Sequence, residues 1–271
     1  MSLGFSVEDL LPSARVSGPL RMGLVRLSES EWLDPHPDLA ARVAGFDAHP
    51  ESVMVLAEAE AGIAELAELI GQVNLVHDRL EACARSVWED LCIMVQDAPG
   101  HPFRLGAAAV AFPTDWRLAE KIGRPLHAIH EPIHGYAEQL ASSVDRFMEG
   151  LQSFNIFGRT NAFVVASDDL RYMPELPAAE RFAHVTEENA GETLFVRCER
   201  EALRRLPKSR AVVFTIGIYR TPLGQLSDAA VARIAQSLDG FSKGELDRRA
   251  GPHYAAALAG YAARRARARA A

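Results

Sequence analysis

Two apolar runs separated by a turn constrain this chain more than any other feature. Leu91-Cys92-Ile93-Met94-Val95-Gln96 is built from residues that favour a pleated, buried strand. Asp97-Ala98-Pro99-Gly100 supplies turn chemistry, and Phe103 to Phe112 is a second β-like run. Together they predict an antiparallel hairpin. Later strand-like runs come singly: Asn161 to Ala166, Glu192 to Cys198 and Ala211 to Tyr219. Regular βαβ alternation is missing, so the fold class expected is α+β, an antiparallel sheet with helices on its faces.

Helical sequence precedes the hairpin. One helix is expected to start at Pro37-Asp38-Leu39-Ala40-Ala41-Arg42-Val43. Another runs from about Ser52 to Leu69, with Val55, Leu56, Ala59, Ile63, Leu66, Ala67 and Ile70 roughly on one face. A third spans about His77 to Trp88. Pro113 closes the hairpin, and Asp115-Trp116-Arg117-Leu118 opens a short helix. Gly123 to Gly135 reads as a loop and Tyr136 to Leu151 as an amphipathic helix. The strand ending at Cys198 is expected to feed a short helix, Glu199 to Leu206. Helices from Leu226 to Leu238 and from Tyr254 to Ala270 follow. The start of the chain, broken by Pro12, Pro19, Pro35 and Pro37, reads as irregular, with Trp32 and Leu33 tucked against the body. One domain over residues 1–271 is expected: a mostly helical region 1–90, a sheet core 91–225 and C-terminal helices 226–271.

Charge and cysteine usage narrow the function. The chain has 36 acidic against 29 basic residues and a formal charge of −7. Phosphate attraction needs positive surface, so nucleic acid is not an expected partner. The three cysteines, Cys83, Cys92 and Cys198, form no CxxC pair, and each is expected to be a buried apolar residue in a reducing cytoplasm. MSLGFSVEDLLPSARV lacks a basic start followed by an apolar run, and no stretch approaches the roughly 18 apolar residues of a membrane helix. Cytoplasmic small-molecule chemistry, with no membrane partner, is the class that remains.

Two segments carry chemistry. Pro125-Leu126-His127-Ala128-Ile129-His130-Glu131-Pro132-Ile133-His134-Gly135-Tyr136 packs three histidines at spacings of three and four. Neutral imidazole is a good ligand for iron, copper or zinc. Pro132 and Gly135 argue against a continuous helix, and a polar loop that is merely His-rich is the plainer reading. The second segment is Val196-Arg197-Cys198-Glu199-Arg200-Glu201. Strand alternation sends Arg197 and Glu199 to the same side, and a helix start would favour Glu199 through its dipole. Such a pair can move protons or stabilise anions; it can equally be a structural ion pair. No GxGxxG, GxxxxGK[ST] or GxSxG occurs. Arg264, Arg265, Arg267 and Arg269 read as a solvated helix face complementing its own dipole.

The order of these segments resembles the haem-dependent oxidative N-demethylase family, the haem subunit of dimethylamine monooxygenase among them. The resemblance rests on Pro19-Leu20-Arg21-Met22-Gly23-Leu24, Trp32-Leu33-Asp34, Asp90-Leu91-Cys92, Phe112-Pro113-Thr114-Asp115-Trp116, Gly123 to His130, Val144-Asp145-Arg146-Phe147, Arg197-Cys198-Glu199-Arg200 through Arg204-Arg205-Leu206-Pro207, and Phe214-Thr215-Ile216. It implies a PAS-like antiparallel sheet holding haem b. It further implies electrons from NADPH through a separate flavin/iron-sulfur reductase subunit, and a small methylated amine losing its methyl group as formaldehyde. The family's Ile-His-x-Pro pattern falls on Ile129-His130-Glu131-Pro132, making His130 the implied iron ligand. The resemblance also implies roles for Arg159 and Glu199 near the distal face. Glu199 would bind a substrate ammonium or shuttle a proton, and Arg159 would stabilise an anion or pair with a propionate. Arg197 is an implied cofactor contact, and Tyr219 an implied lining of the cavity.

Departures from that pattern matter for substrate choice. Ala162 stands where a tryptophan is expected, His134 where a proline is, and Gly217-Ile218 where a more polar pair is. Losing a tryptophan removes a wall from a pocket, and an isoleucine dries it. A different amine fits these changes. So does the alternative of a haem-binding sensor or carrier on the same fold, without turnover. His134 offers a second possible ligand.

Overall fold

The computed structural model describes residues 5–12, 14, 20–35, 38–72, 79–133 and 135–270, with 269 and 270 as backbone. In chain order the described elements are α1 (Val7–Leu10), β1 (Val25–Leu27), α2 (Ala40–Ala48), β2 (Val53–Val55), α3 (Glu60–Ile70), α4 (Arg79–Ser86), β3 (Asp90–Val95), β4 (Arg104–Ala109), α5 (Leu126–Ile129), α6 (Tyr136–Gln139), α7 (Ala141–Gly150), β5 (Ile156–Val165), α8 (Ala178–Arg181), α9 (Ala190–Thr193), β6 (Phe195–Arg205), β7 (Val212–Pro222), α10 (Asp228–Ser237), α11 (Lys243–Arg248) and α12 (Ala255–Ala270). They form two compact units. The first takes Leu20–Arg159 and Arg200–Ile218; the second takes Phe5–Pro19, Thr160–Glu199 and Tyr219–Ala271.

The first unit holds part of every strand, in the order β1-β5-β6-β7-β3-β4-β2. The pairs β1–β5, β2–β4, β3–β4 and β3–β7 are antiparallel, which gives the α+β class expected. The expected hairpin is present, with Leu91 opposite Ala109 and Val95 opposite Arg104. Its register shifts between Ile93 and Met94, where Gly106 is the additional residue of β4. The backbone there lies so close to its neighbours that a Cβ on Gly106 would sit 2.8 Å from Val95 Cγ2.

β3 is buried along its whole length because helices cover both faces. On one face, Gly62 lets α3 settle onto the sheet; a Cβ there would lie 2.9 Å from Ala211 Cβ and 3.1 Å from Ile93 Cγ2. On the other, Cys92, Met94, Leu105 and Val212 share an apolar cluster with Leu126 of α5 and Met148 of α7; Phe157 and Leu203 pack against it. At the start of β3, Arg42 and Asp90 form an ion pair at 2.9 Å with side chains 0% and 1% exposed.

The largest departure from the sequence expectation is at Glu199 to Leu206. No helix forms there: β6 runs unbroken from Phe195 to Arg205. Glu, Arg, Ala and Leu are strong helix formers, but β6 lies between β5 and β7, and pairing on both edges outweighs local propensity. Glu199 therefore has no helix dipole to complement. The helix expected from Ser52 begins at Glu60, because Val53–Val55 pairs with β4 as an edge strand. The helix expected over Tyr136 to Leu151 is divided at Leu140, whose φ of −124° breaks α6 from α7. β5 begins at Ile156 instead of Asn161, and the short helix near Trp116 is one 3-10 turn, Leu118–Glu120. Pro37 and His77 lie outside the described residues; the helices around them begin at Ala40 and Arg79.

Two further expectations match, the buried cysteines and the packing of Trp32. All three cysteines are buried. Trp32 is buried under the Arg204 guanidinium, 4.5 Å from its ring centroid. Among the described residues no helix is long and apolar enough to cross a membrane. The C-terminal arginines are more engaged than a solvated face requires: Arg265 pairs with Asp228 at 2.5 Å, and Arg264 donates to the Glu188 carbonyl at 3.2 Å.

The Gly62 contact gives a test of this packing. Gly62→Leu is expected to cost about 1–3 kcal/mol through overpacking against Ala211 and Ile93. Urea unfolding with an unchanged midpoint would show that α3 does not sit on β3 as described.

Candidate functional site

The histidine segment folds into one turn of helix followed by a tight return. Pro125, with its fixed φ, caps α5, and the Leu126 N–H donates to the Phe103 carbonyl at 3.0 Å, which ties the turn to the hairpin. His130 caps the other end of α5. Its Nδ1 lies 2.8 Å from the Leu126 carbonyl oxygen. A carbonyl can only accept, so Nδ1 carries the proton and Nε2 carries the lone pair. Gly135, at φ +78°, turns the chain back so that the Tyr136 ring stacks on the imidazole, 4.5 Å between centroids and 17° between planes. Burial lowers the His130 pKa below its ordinary value; the Leu126 hydrogen bond opposes this, and the Lys121 and Arg159 charges reinforce it. The ring is thus neutral at pH 7. His127 is exposed, and His134 lies outside the described residues.

Arg159 stands next to this ring in charge terms, acting on both His130 and Tyr136. Its Nε pairs with Glu201 Oε2 at 2.5 Å. Alternation explains the meeting. Phe157 of β5 and Leu203 of β6 pack on the cluster that holds Leu126, and Arg159 and Glu201 are their second neighbours along the same strand faces. The helix expected at Glu199–Leu206 hid Glu201. Read as a continuing strand, the i, i+2 pattern from Glu199 would have put it on the Glu199 side.

The other sequence-derived residues belong to the second unit. Arg197 is buried and donates from Nη1 to the Asp169 carbonyl at 3.1 Å. Glu199 is half-buried, two residues along the same strand face. Its charge adds to the burial that pushes the Cys198 thiol up to about 12. Tyr219 is buried, with Phe5 edge-on at 6.1 Å. Ala162 is buried on β5.

A neutral imidazole with a carbonyl on one nitrogen and a lone pair on the other is the donor set of a metal-binding histidine. Among the described residues no group of three or more His, Cys, Asp or Glu could hold a metal ion. A single imidazole is the protein ligand that a haem iron would take. The residues present therefore fit a haem. In agreement, the family model for haem-dependent oxidative N-demethylase, alpha subunit-like proteins matches residues 67–259, well over half of the chain. The chain belongs to this family. No curated protein matches it. The span shared with the N-demethylase family includes His130, Arg159, Arg197, Glu199 and Tyr219; the resembling segments at Pro19–Leu24 and Trp32–Asp34 precede it.

This N-demethylase-family chain also buries a titratable group that the sequence did not single out. Glu89 is fully buried, accepts the Asp34 N–H at Oε1 (2.7 Å) and lies 3.9 Å from Arg200 Nη1. Arg200 in turn donates to the Trp32 carbonyl at 3.3 Å and to that of Glu31. Among the described residues Glu89 Oε2 has no hydrogen-bond partner. Burial pushes its pKa up to about 7, against the pull of the Asp34 N–H and Arg200. Between pH 4.5 and 7 the unfolded chain loses this proton while the folded chain keeps it, so stability falls as pH rises through that window. Glu89→Gln is expected to remove this loss, gaining on the order of 2–3 kcal/mol over the parent between pH 5 and pH 8. Parallel stability curves for the two proteins would show that Glu89 is ionised throughout.

Proposed function

We propose that this chain is the haem subunit of an oxidative N-demethylase. On this reading haem b is held on a PAS-like sheet through Nε2 of His130. The substrate is a small methylated amine whose methyl group leaves as formaldehyde. Electrons come from NADPH through a separate flavin/iron-sulfur reductase subunit, in the cytoplasm. The observation that carries it is the 2.8 Å contact from His130 Nδ1 to the Leu126 carbonyl, which selects the tautomer whose Nε2 lone pair is available to a metal. Bound haem supplies the oxygen activation.

The chain's own residues do the rest. The Leu126 carbonyl and the Tyr136 ring orient the imidazole, and the Tyr136 phenol, pushed up to about 12 by burial, stays protonated beside it. Glu201 holds Arg159 at Nε, so the guanidinium is fixed in place for an anion or a haem propionate. Arg197 as a cofactor contact, Tyr219 as a wall for the substrate, and Glu199 as the ammonium partner or proton carrier follow the family resemblance. The whole chain, residues 1–271, then serves as one haem-binding domain.

After haem addition, the purified chain is expected to show a Soret band that His130→Ala loses and the exposed-site variant His127→Ala keeps. Equal haem occupancy in the two variants overturns the ligand assignment. Formaldehyde release from methylated amines, with NADPH and a competent reductase, tests turnover; haem binding without formaldehyde points to a sensor or carrier. Glu199→Gln is expected to retain the Soret band and lose about 10²-fold or more in turnover, the usual scale for a positioned proton-transfer group. An unchanged rate would make Glu199 structural.

A further inference from the structure

The second unit contains a cavity of ≈ 20 Å³ whose polar lining is built, not incidental. Its base is Arg249, a side chain only 7% exposed. The guanidinium lies between two aromatic rings, 4.5 Å from the Phe163 centroid and 4.6 Å from that of Phe241. Nε donates to Glu245 Oε1 at 2.6 Å and Nη1 to the Ala162 carbonyl at 2.7 Å. Among the described residues no group takes Nη2. Glu245 is shared: Arg248 also donates to it, at 2.7 Å. One carboxylate thus faces two guanidinium groups, and the buried one keeps an open donor among the described residues.

A second donor lines the same cavity. Tyr254 is 2% exposed, with its ring tilted on Phe182 at 5.2 Å. Its hydroxyl has no hydrogen-bond partner among the described residues. Burial pushes the phenol up to about 12, so it keeps its proton at any working pH. A cavity of this size exceeds the room one water needs. Val196 gives it an apolar wall.

We propose that this cavity binds a small monocarboxylate, of formate or acetate size, through Arg249 Nη2 and the Tyr254 hydroxyl. A buried cation with an unused donor is costly until an acceptor meets it, and an anion supplies both the charge and the acceptor. Two donors arriving from different elements favour two acceptor oxygens on one carbon over a single-point halide. The hydrogen or methyl at the other end faces the apolar wall. The Phe163 and Phe241 rings and the Glu245 pair hold the guanidinium still, so little side-chain freedom is lost on binding.

The test uses the full chain and calorimetric titration at constant ionic strength, with sodium acetate and sodium bromide as separate probes. Saturable acetate binding is expected, with bromide at least tenfold weaker. Tyr254→Phe removes only a hydroxyl that has no hydrogen-bond partner among the described residues, so the fold is expected to hold while acetate affinity falls about tenfold. Ala162→Leu is expected to fill the cavity and abolish binding. Arg249 itself is left intact because it anchors Glu245. Non-saturating acetate, equal affinity in the parent and in Tyr254→Phe, or bromide binding as tightly as acetate would each overturn the assignment. If Ala162→Leu fails to fold, the Tyr254→Phe comparison decides alone.

Discussion

The first unit is organised around one buried charge pair. Arg42 of α2 reaches the start of β3, where it meets Asp90 at 2.9 Å and donates to the carbonyls of Trp88 (3.1 Å), Glu89 (2.5 Å) and Ala84. Asp90 uses its remaining capacity on the backbone N–H groups of Ala111 (2.8 Å) and Phe112 (3.2 Å). The end of α4, the first residue of β3 and the end of the β4 run are thereby fixed to one point. A buried ion pair is weak evidence for stability by itself. Here its value is geometric: four Arg42 donor contacts and three bonds accepted by Asp90 converge on one point, so the register of the hairpin and the docking of two helices are set together. The His130 turn inherits this order, because Leu126 is bonded back to Phe103 at the other end of the same hairpin.

β6 shows how one strand serves two purposes. Its alternation sends Arg200 and Arg204 to one face and Glu201 and Leu203 to the other. On the first face the two arginines secure the Trp32 segment: Arg200 through backbone carbonyls, Arg204 through a two-point contact with Glu29 at 2.5 and 2.9 Å. On the second, Glu201 steadies Arg159 beside the imidazole. A run that looks uniformly charged in one dimension is sorted by the pleat into a structural side and a chemical side.

That sorting marks the limit of what could be read from residues alone. The β3–β4 hairpin was legible because its apolar runs and its Asp97–Gly100 turn agree. The buried cysteines and the packing of Trp32 followed from residue type. Glu199 to Leu206 reads as a helix because its composition is that of one, and only pairing with the neighbouring strands β5 and β7 decides otherwise. Val53–Val55 was absorbed into a helix because three residues are too few to show a period of two. At the site, spacing alone leaves three histidines open, and it is the resemblance to the family's Ile-His-x-Pro pattern that singles out His130. Its partner could not be singled out, because a backbone carbonyl carries no sequence signature, and Arg42 and Glu201 look like ordinary surface charges until the fold buries them.

The strand order has a consequence for how the polypeptide is made. β3 emerges early and can pair with β4 at once, but its other edge belongs to β7, where Leu91 meets Thr215. During synthesis that edge stays open while the long intervening stretch is produced, and loop closure over such a distance delays folding. An uncovered apolar strand is a template for pairing with the wrong chain. A product ending before Val212 would lack the whole of β7 and leave the β3 edge without its native pairing.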